Sequence, residues 1–337
     1  MKLLSLIFAL ANLSFLSAFA QDSVYCVDLH QPDFEQYTLL NQGIEGKKLI
    51  MLGEMHYMAA NSTIQTGLWI YLNQRFGVRH LLIEFGQAEA YLYNQYLQTG
   101  DEWYINHTFQ GFSGYVEFIS AWRKLYEYNL GLDSSKKLVV NGLDLERDPG
   151  LSATMYKLLS PYQADPEINN LRDSIKARLD TIGVERDTKE YIYHLRSRVS
   201  TLPLPDDENK QIINDILNNQ SFVSSMEKRD SLMAESFLAL DTADEVYFGQ
   251  FGFAHAMLSS RNGLAAILNN SEEYRNQVLV MNMYYVNSDN SHPFEGLSDC
   301  PVFLYRIDPD NEEWGGFAKR GQWAWVLKDQ SRYTQQE

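Results

Sequence analysis

The sequence is poor in cysteine, in positive charge and in long apolar runs, and each shortage closes off a class of function. There are two cysteines, Cys26 near the N-terminus and Cys300 near the C-terminus, and neither starts a C-x-x-C-H haem attachment. Lys and Arg total 28 against 44 Asp and Glu, a net charge of −16, which argues against nucleic acid as a partner. After residue 20 no stretch approaches the roughly 18 to 20 consecutive apolar residues of a membrane span. Signature loops are missing too: no P-loop, no H-E-x-x-H helix and no G-x-G-x-x-G after the first strand. Gly111-Phe112-Ser113-Gly114-Tyr115 has tyrosine where the serine-hydrolase elbow G-x-S-x-G needs its last glycine, so no serine nucleophile is expected.

What is present suits a globular chain, since 337 residues at 45% apolar content supply a large core. Lys2 followed by an apolar stretch and then Ala18-Phe19-Ala20 reads as a secretory signal peptide over residues 1–20, with cleavage after Ala20 and a secreted or periplasmic mature chain over 21–337. In an oxidising compartment Cys26 and Cys300 are expected to pair, which in the loop-entropy description stabilises by about 5 kcal/mol less any strain.

Apolar runs alternate with helical patterns, which predicts an α/β fold with a mainly parallel central sheet flanked by helices. Predicted strands are 48–52, 80–83, 138–140, 246–248, 278–281, 302–305 and 325–327. Predicted helices include one capped by Ser62 and stopped at Gly77, one over 87–98 and one over 115–130 stopped by Gly131. Residues 151–240 are charged, helix-rich and broken at Leu202-Pro203-Leu204-Pro205, and read as a helical insertion within a single domain.

The chemistry concentrates at the ends of the strand-like runs. Gly53-Glu54-Met55-His56 and Gly252-Phe253-Ala254-His255 each place a histidine three residues after a glycine that follows an apolar run. Glu84 and Asp144 follow two more. Catalytic groups in open α/β sheets gather beyond the carboxyl ends of parallel strands, so Glu54, His56, Glu84, Asp144 and His255 form the candidate constellation. Gly249-Gln250-Phe251-Gly252 reads as a flexible entry to His255, and His107 as a surface residue.

These motifs resemble the superfamily that joins erythromycin esterases with the Tiki proteases and the ChaN-type haem-uptake proteins. Gly53-Glu54-Met55-His56 is similar to its first Gly-Glu-x-His element, Glu84 to the acid that ends its second strand, and Gly252-Phe253-Ala254-His255 to its second histidine motif. Trp122-Arg123 with Asn129, Gly142-Leu143-Asp144, and Arg229-Asp230 with Met233-Ala234 resemble the esterase branch. The Glu54-to-His56 spacing followed by Tyr57 is closer to the ChaN and Tiki branches, so a macrolide substrate is not implied.

The leading expectation is a secreted or periplasmic hydrolase in which activated water attacks an ester or similar carbonyl of a small-molecule substrate, a peptide substrate belonging to the metal-dependent alternative below. His56 takes a proton from water, Glu54 and Glu84 orient and polarise it, His255 protonates the leaving oxygen, and Arg123 or Arg229 steadies the oxyanion or binds a substrate carboxylate. Two alternatives stay open. His56, His255 and Glu84 suit a divalent metal with an open water position, as the Tiki likeness implies. A ChaN-like protein would hold haem without catalysis, with Tyr57 beside His56 as the residue to watch.

Overall fold

The strands at the centre of the molecule are apolar on both faces because both faces are covered. Leu49 and Met51 face one layer of helices, Ile50 and Leu52 face the other, and all four are fully buried. This continuous burial is the pattern of a parallel strand rather than a half-exposed one. A computed structural model describes residues 24–29, 34–181, 188–219, 226–242, 244–286, 294, 296–311, 315–329 and 331–335. The expected signal peptide lies outside them.

Eight strands form one sheet: β1 (Val24–Cys26), β2 (Leu49–Glu54), β3 (His80–Ile83), β4 (Val139–Gly142), β5 (Tyr247–Gly252), β6 (Val278–Tyr285), β7 (Val302–Arg306) and β8 (Trp323–Leu327), in the order β1-β7-β8-β6-β2-β5-β3-β4. From β8 to β4 all neighbours are parallel, while β7 pairs antiparallel with β8 and β1 with β7. The chain is therefore α/β with a mainly parallel sheet. Cys26 on β1 is disulfide-bonded to Cys300 ahead of β7, with Cα atoms 5.6 Å apart.

Helices α1 (Ala59–Phe76), α2 (Gln87–Thr99) and α3 (Val116–Leu130) follow β2 and β3. Trp69, Leu72, Tyr93 and Trp122 from these helices pack in one core cluster with Ile50, Leu81 and Val140 of the sheet. Gly77 ends α1 at φ 71°, a left-handed conformation glycine adopts freely. Ser62 does not cap α1: the helix starts at Ala59, and the Ser62 hydroxyl instead meets the Tyr333 hydroxyl.

Between β4 and β5 the described chain is helical: α4 (Gly150–Leu158), α5 (Pro166–Leu179), α6 (Thr188–Val199), α7 (Glu208–Asn218) and α8 (Met226–Leu240). The first four share an apolar cluster of their own that includes Leu151, Leu171, Leu195 and Ile213, and it reaches the sheet layer through Ala88 of α2. Helix α8 leaves that cluster. Its Met233 and Phe237 pack with Tyr247 and with Leu264 and Leu268 of α9 (Leu264–Asn270) on the second face of the sheet.

The order of strands places the site. The chain runs outward from β2 to β3 and β4, returns to insert β5 beside β2, then crosses to β6 on the other side. Neighbouring parallel strands whose connections leave in opposite directions open a crevice at their carboxyl ends. Here that crevice lies at the ends of β2, β3, β4 and β5.

Candidate active site

Glu54 is the last residue of β2 and is almost fully buried, yet a carboxylate there needs partners. It has two. Its Oε1 accepts from His56 Nδ1 at 2.8 Å, and Gln250 Nε2 from the adjacent β5 donates to Oε2. With Nδ1 donating to Glu54, His56 Nε2 keeps its lone pair and the ring is fixed in one tautomer. The hydrogen bond to Glu54 raises the His56 pKa above its ordinary value, against the opposing effect of partial burial.

His56 Nε2 lies over Gly252, where a Cβ would come within 2.8 Å of it. Glycine at 252 is thus what lets the ring sit against the end of β5. The same residue anchors Glu84: the Gly252 N–H donates to Glu84 Oε2 at 2.6 Å. Glu84 Oε1 meets Arg229 Nη2 at 2.7 Å and His255 Nε2 at 3.3 Å. Burial works against this charge, but His255, Arg229 and the Gly252 N–H outweigh it and hold the carboxyl well below the usual range.

Arg229 comes from α8, and Asp144 from just beyond β4. Arg229 Nε lies 2.8 and 3.0 Å from the two Asp144 oxygens, Nη2 reaches both Asp144 and Glu84, and Nη1 is 3.2 Å from His255 Nε2. His255, buried in the short helix Phe253–Ala256, has its Nδ1 2.6 Å from Asp230 Oδ1, and that oxygen also accepts from the Leu264 N–H at 2.8 Å. Desolvation lowers the His255 pKa, but hydrogen bonds and charge from Asp230 and Glu84 prevail and push it up to about 9.

Two cavities meet at His56. One, of about 340 Å³, is bordered by Glu54, His56, Glu84, Arg229, Gly252 and His255. The other, of about 140 Å³, shares Glu54, His56 and Glu84 and continues into aromatic rings and Arg147. A bond placed at His56 Nε2 would have room on both sides.

Glu54, His56, Glu84, Asp144, Arg229 and His255 therefore come together, and Arg123 does not. Its guanidinium is exposed on α3 and pairs with Glu102 at 2.6 Å, because the helix turns its Trp122 face inward. Nor is 249–252 a flexible entry: it belongs to β5, with Gly249 and Gln250 paired on both sides and Phe251 and Gly252 paired with β2. His107 stacks on Trp103, with Nδ1 2.7 Å from that residue's carbonyl oxygen. Tyr57 is exposed at φ 67° and packs edge-on against His56 and Tyr115.

The set His56, His255 and Glu84 does not fit a metal ion. Among the described residues no group of three or more His, Cys, Asp or Glu side chains has a ligating arrangement. The guanidinium of Arg229 stands beside both Glu84 and His255, the position a cation would need. Residues outside the candidate constellation complete the site: Gln250 orients Glu54, Asp230 orients His255, and Arg332 Nη1 donates to the His56 carbonyl at 2.8 Å.

No family model matches the chain, and no curated protein does. Its fold is present in solved structures. An erythromycin esterase, EreC, solved as a mutant in an open conformation, is 14% identical with a TM-score of 0.61, covering 93% of this chain and 99% of that one. A succinoglycan biosynthesis protein is 15% identical at a TM-score of 0.64, covering 94% and 97%. A Bacillus cereus protein is 12% identical at 0.64, covering 96% and 99%. The chain thus has the erythromycin-esterase-like fold that its motifs imply, and at these identities the likeness is one of fold.

Proposed function

We propose that this protein is an exported hydrolase in which His56, held by Glu54, activates water for attack on an ester or related carbonyl. The observation that carries the reading is the 2.8 Å contact of Glu54 with His56 Nδ1, which leaves Nε2 as a base at the junction of two cavities. Water gives its proton to Nε2 as its oxygen bonds to the carbonyl carbon. The tetrahedral intermediate then collapses, and the His56 imidazolium returns the proton to the departing alkoxide, releasing acid and alcohol. Arg229 and the imidazolium of His255 border the first of these cavities and offer charge to the oxyanion.

His255 takes a positioning role in this scheme. It is buried, and both its nitrogens are engaged, Nδ1 by Asp230 and Nε2 by Glu84, so its proton already has acceptors. The likeness of fold to an erythromycin esterase supports hydrolysis of an ester or lactone. Export is supported by the Cys26–Cys300 disulfide, a bond that persists in oxidising compartments.

The test is turnover of 4-nitrophenyl acetate, 4-nitrophenyl butyrate and a simple lactone by the wild type and His56→Ala, with circular dichroism confirming the fold. Loss of roughly 10²- to 10⁴-fold in kcat is expected on removing a general base. Undiminished turnover by His56→Ala contradicts the scheme.

A further inference from the structure

The second cavity at His56 is built of flat walls. Phe85, Tyr93, Phe109, Phe118, Trp122 and Tyr333 line it. Tyr93 and Trp122 are stacked at 4.2 Å with their planes 15° apart, and Phe85 lies 5.5 Å from Phe109. Glu89 braces two of these residues from behind, its Oε1 accepting from the Phe109 N–H at 2.7 Å and meeting the Tyr93 hydroxyl at 3.4 Å. The rings are therefore fixed before a ligand arrives.

Tyr333 closes the cavity from far along the chain. Segment 331–335 runs across the His56 loop and the start of α3: the Ala59 N–H donates to the Ser331 carbonyl, the Tyr333 N–H to the Tyr57 carbonyl and the Val116 N–H to the Thr334 carbonyl. The Tyr333 ring stacks on Tyr115 at 4.7 Å and 15°, and its hydroxyl meets Ser62. The same strap holds Tyr57 in its left-handed conformation, one that a tyrosine rarely adopts unaided. One segment thus fixes both the loop that carries the base and the wall beside it.

We infer that this cavity is a binding subsite for a planar aromatic group on the acyl carbon of the ester that is cleaved, with Tyr333 as its specificity-determining wall; ester cleavage at this place rests on the hydrolase reading, and the seat for the ring on the cavity alone. Aromatic faces and edges held apart by a rigid frame favour a flat ring over a puckered one of the same size, because offset stacking and edge contacts add to the burial of area. The glutamines at its border, Gln65 and Gln110, offer hydrogen bonds to ring substituents.

The experiment compares methyl benzoate with methyl cyclohexanecarboxylate, which share a bond and a leaving group but differ in ring shape. Binding is followed by saturation-transfer NMR on His56→Ala, and turnover on the wild type, Tyr333→Ala and Tyr333→Phe. The benzoate ester is expected to bind at least five times more tightly. Tyr333→Ala is expected to erase that preference, through KM more than kcat, and Tyr333→Phe to keep it. Phe109→Leu serves as a second wall variant should Tyr333→Ala fail to fold. Equal binding of the two esters, or a preference that survives loss of both walls, overturns the inference. Ring-selective binding without turnover leaves the subsite standing and removes the hydrolase reading, whereas turnover of both esters without selectivity does the reverse.

Discussion

Arg229 lies side-on to Asp144, its Nε 2.8 Å from Oδ1 and 3.0 Å from Oδ2, across 85 residues of sequence. That contact ties α8 to the end of β4, and the Nη2 contact with Glu84 extends the tie to β3. Asp144 is fully buried, so without Arg229 two carboxylates would stand in a low-dielectric crevice with their main cation gone. Arg229→Ala is expected to cost about 3 to 5 kcal/mol in urea denaturation, the range for breaking a buried pair from one side. Arg229→Lys keeps the charge but not the planar fork, and is expected to fall between. A loss below about 1 kcal/mol would mean the network is not holding α8 to the sheet.

Arg123 is the contrasting cation. Its partner Glu102 is exposed, as is Arg123 itself. Arg123→Ala is expected to change stability by no more than about 1 kcal/mol and to leave kcat/KM where it was. A large loss of activity would return Arg123 to the mechanism.

Stability should fall as pH rises through neutrality, for three reasons of the same sign. Glu89 is fully buried, and desolvation pushes its pKa up to about 8 despite the Phe109 N–H and the Tyr93 hydroxyl. Glu146, buried at the start of α2 where the Gln87 and Ala88 N–H groups donate to it, is raised to about 7 by the same cause. In the unfolded chain both carboxyls ionise near the ordinary value of 4.5, so between there and their folded values the native state alone holds the proton and stability declines by up to about 1.4 kcal/mol per pH unit per group. His255, raised to about 9, adds stability that is complete below 6.5 and lost on the way to 9. Denaturation midpoints measured from pH 4.5 to 9 should trace this decline, and Glu89→Gln should flatten its part below pH 8. A wild-type stability that rises over this range would contradict the assignment.

Exhaustive dialysis against EDTA is expected to leave ester turnover unchanged, because Arg229 occupies the place beside Glu84 and His255 where an ion would bind. Activity lost to chelator and restored by one divalent ion would show that this network rearranges to admit a metal.

Much of the site was legible because its residues sit at the ends of glycine-bounded apolar runs. A parallel sheet aligns those ends, so Glu54, Glu84, Asp144 and His255 could be grouped without knowing the strand order. The less visible parts depend on contacts the local pattern does not encode. Gln250 read as part of a flexible entry to His255 because glycines flank it, and its partner Glu54 lies 196 residues away. Asp230 stood beside Arg229 in sequence, but its grip on His255 depends on the turn of α8. Tyr333 and Arg332 carried no signal, since the strap is joined to the site by isolated backbone bridges at Met58 and Tyr115. Arg123 misled because α3 is amphipathic and its inward face belongs to Trp122.

The measurement that bears most directly on the mechanism is the pH dependence of kcat/KM for an ester in the wild type and in Glu54→Gln. His56 must be neutral to accept a proton, and the hydrogen bond to Glu54 holds its pKa above 6.5, so wild-type activity should rise with pH across an inflection above that value. Glu54→Gln should move the inflection to lower pH and reduce kcat by roughly tenfold or more, since the amide neither fixes the tautomer nor stabilises the imidazolium. An inflection that stays in place in Glu54→Gln, with kcat unchanged, would contradict the account.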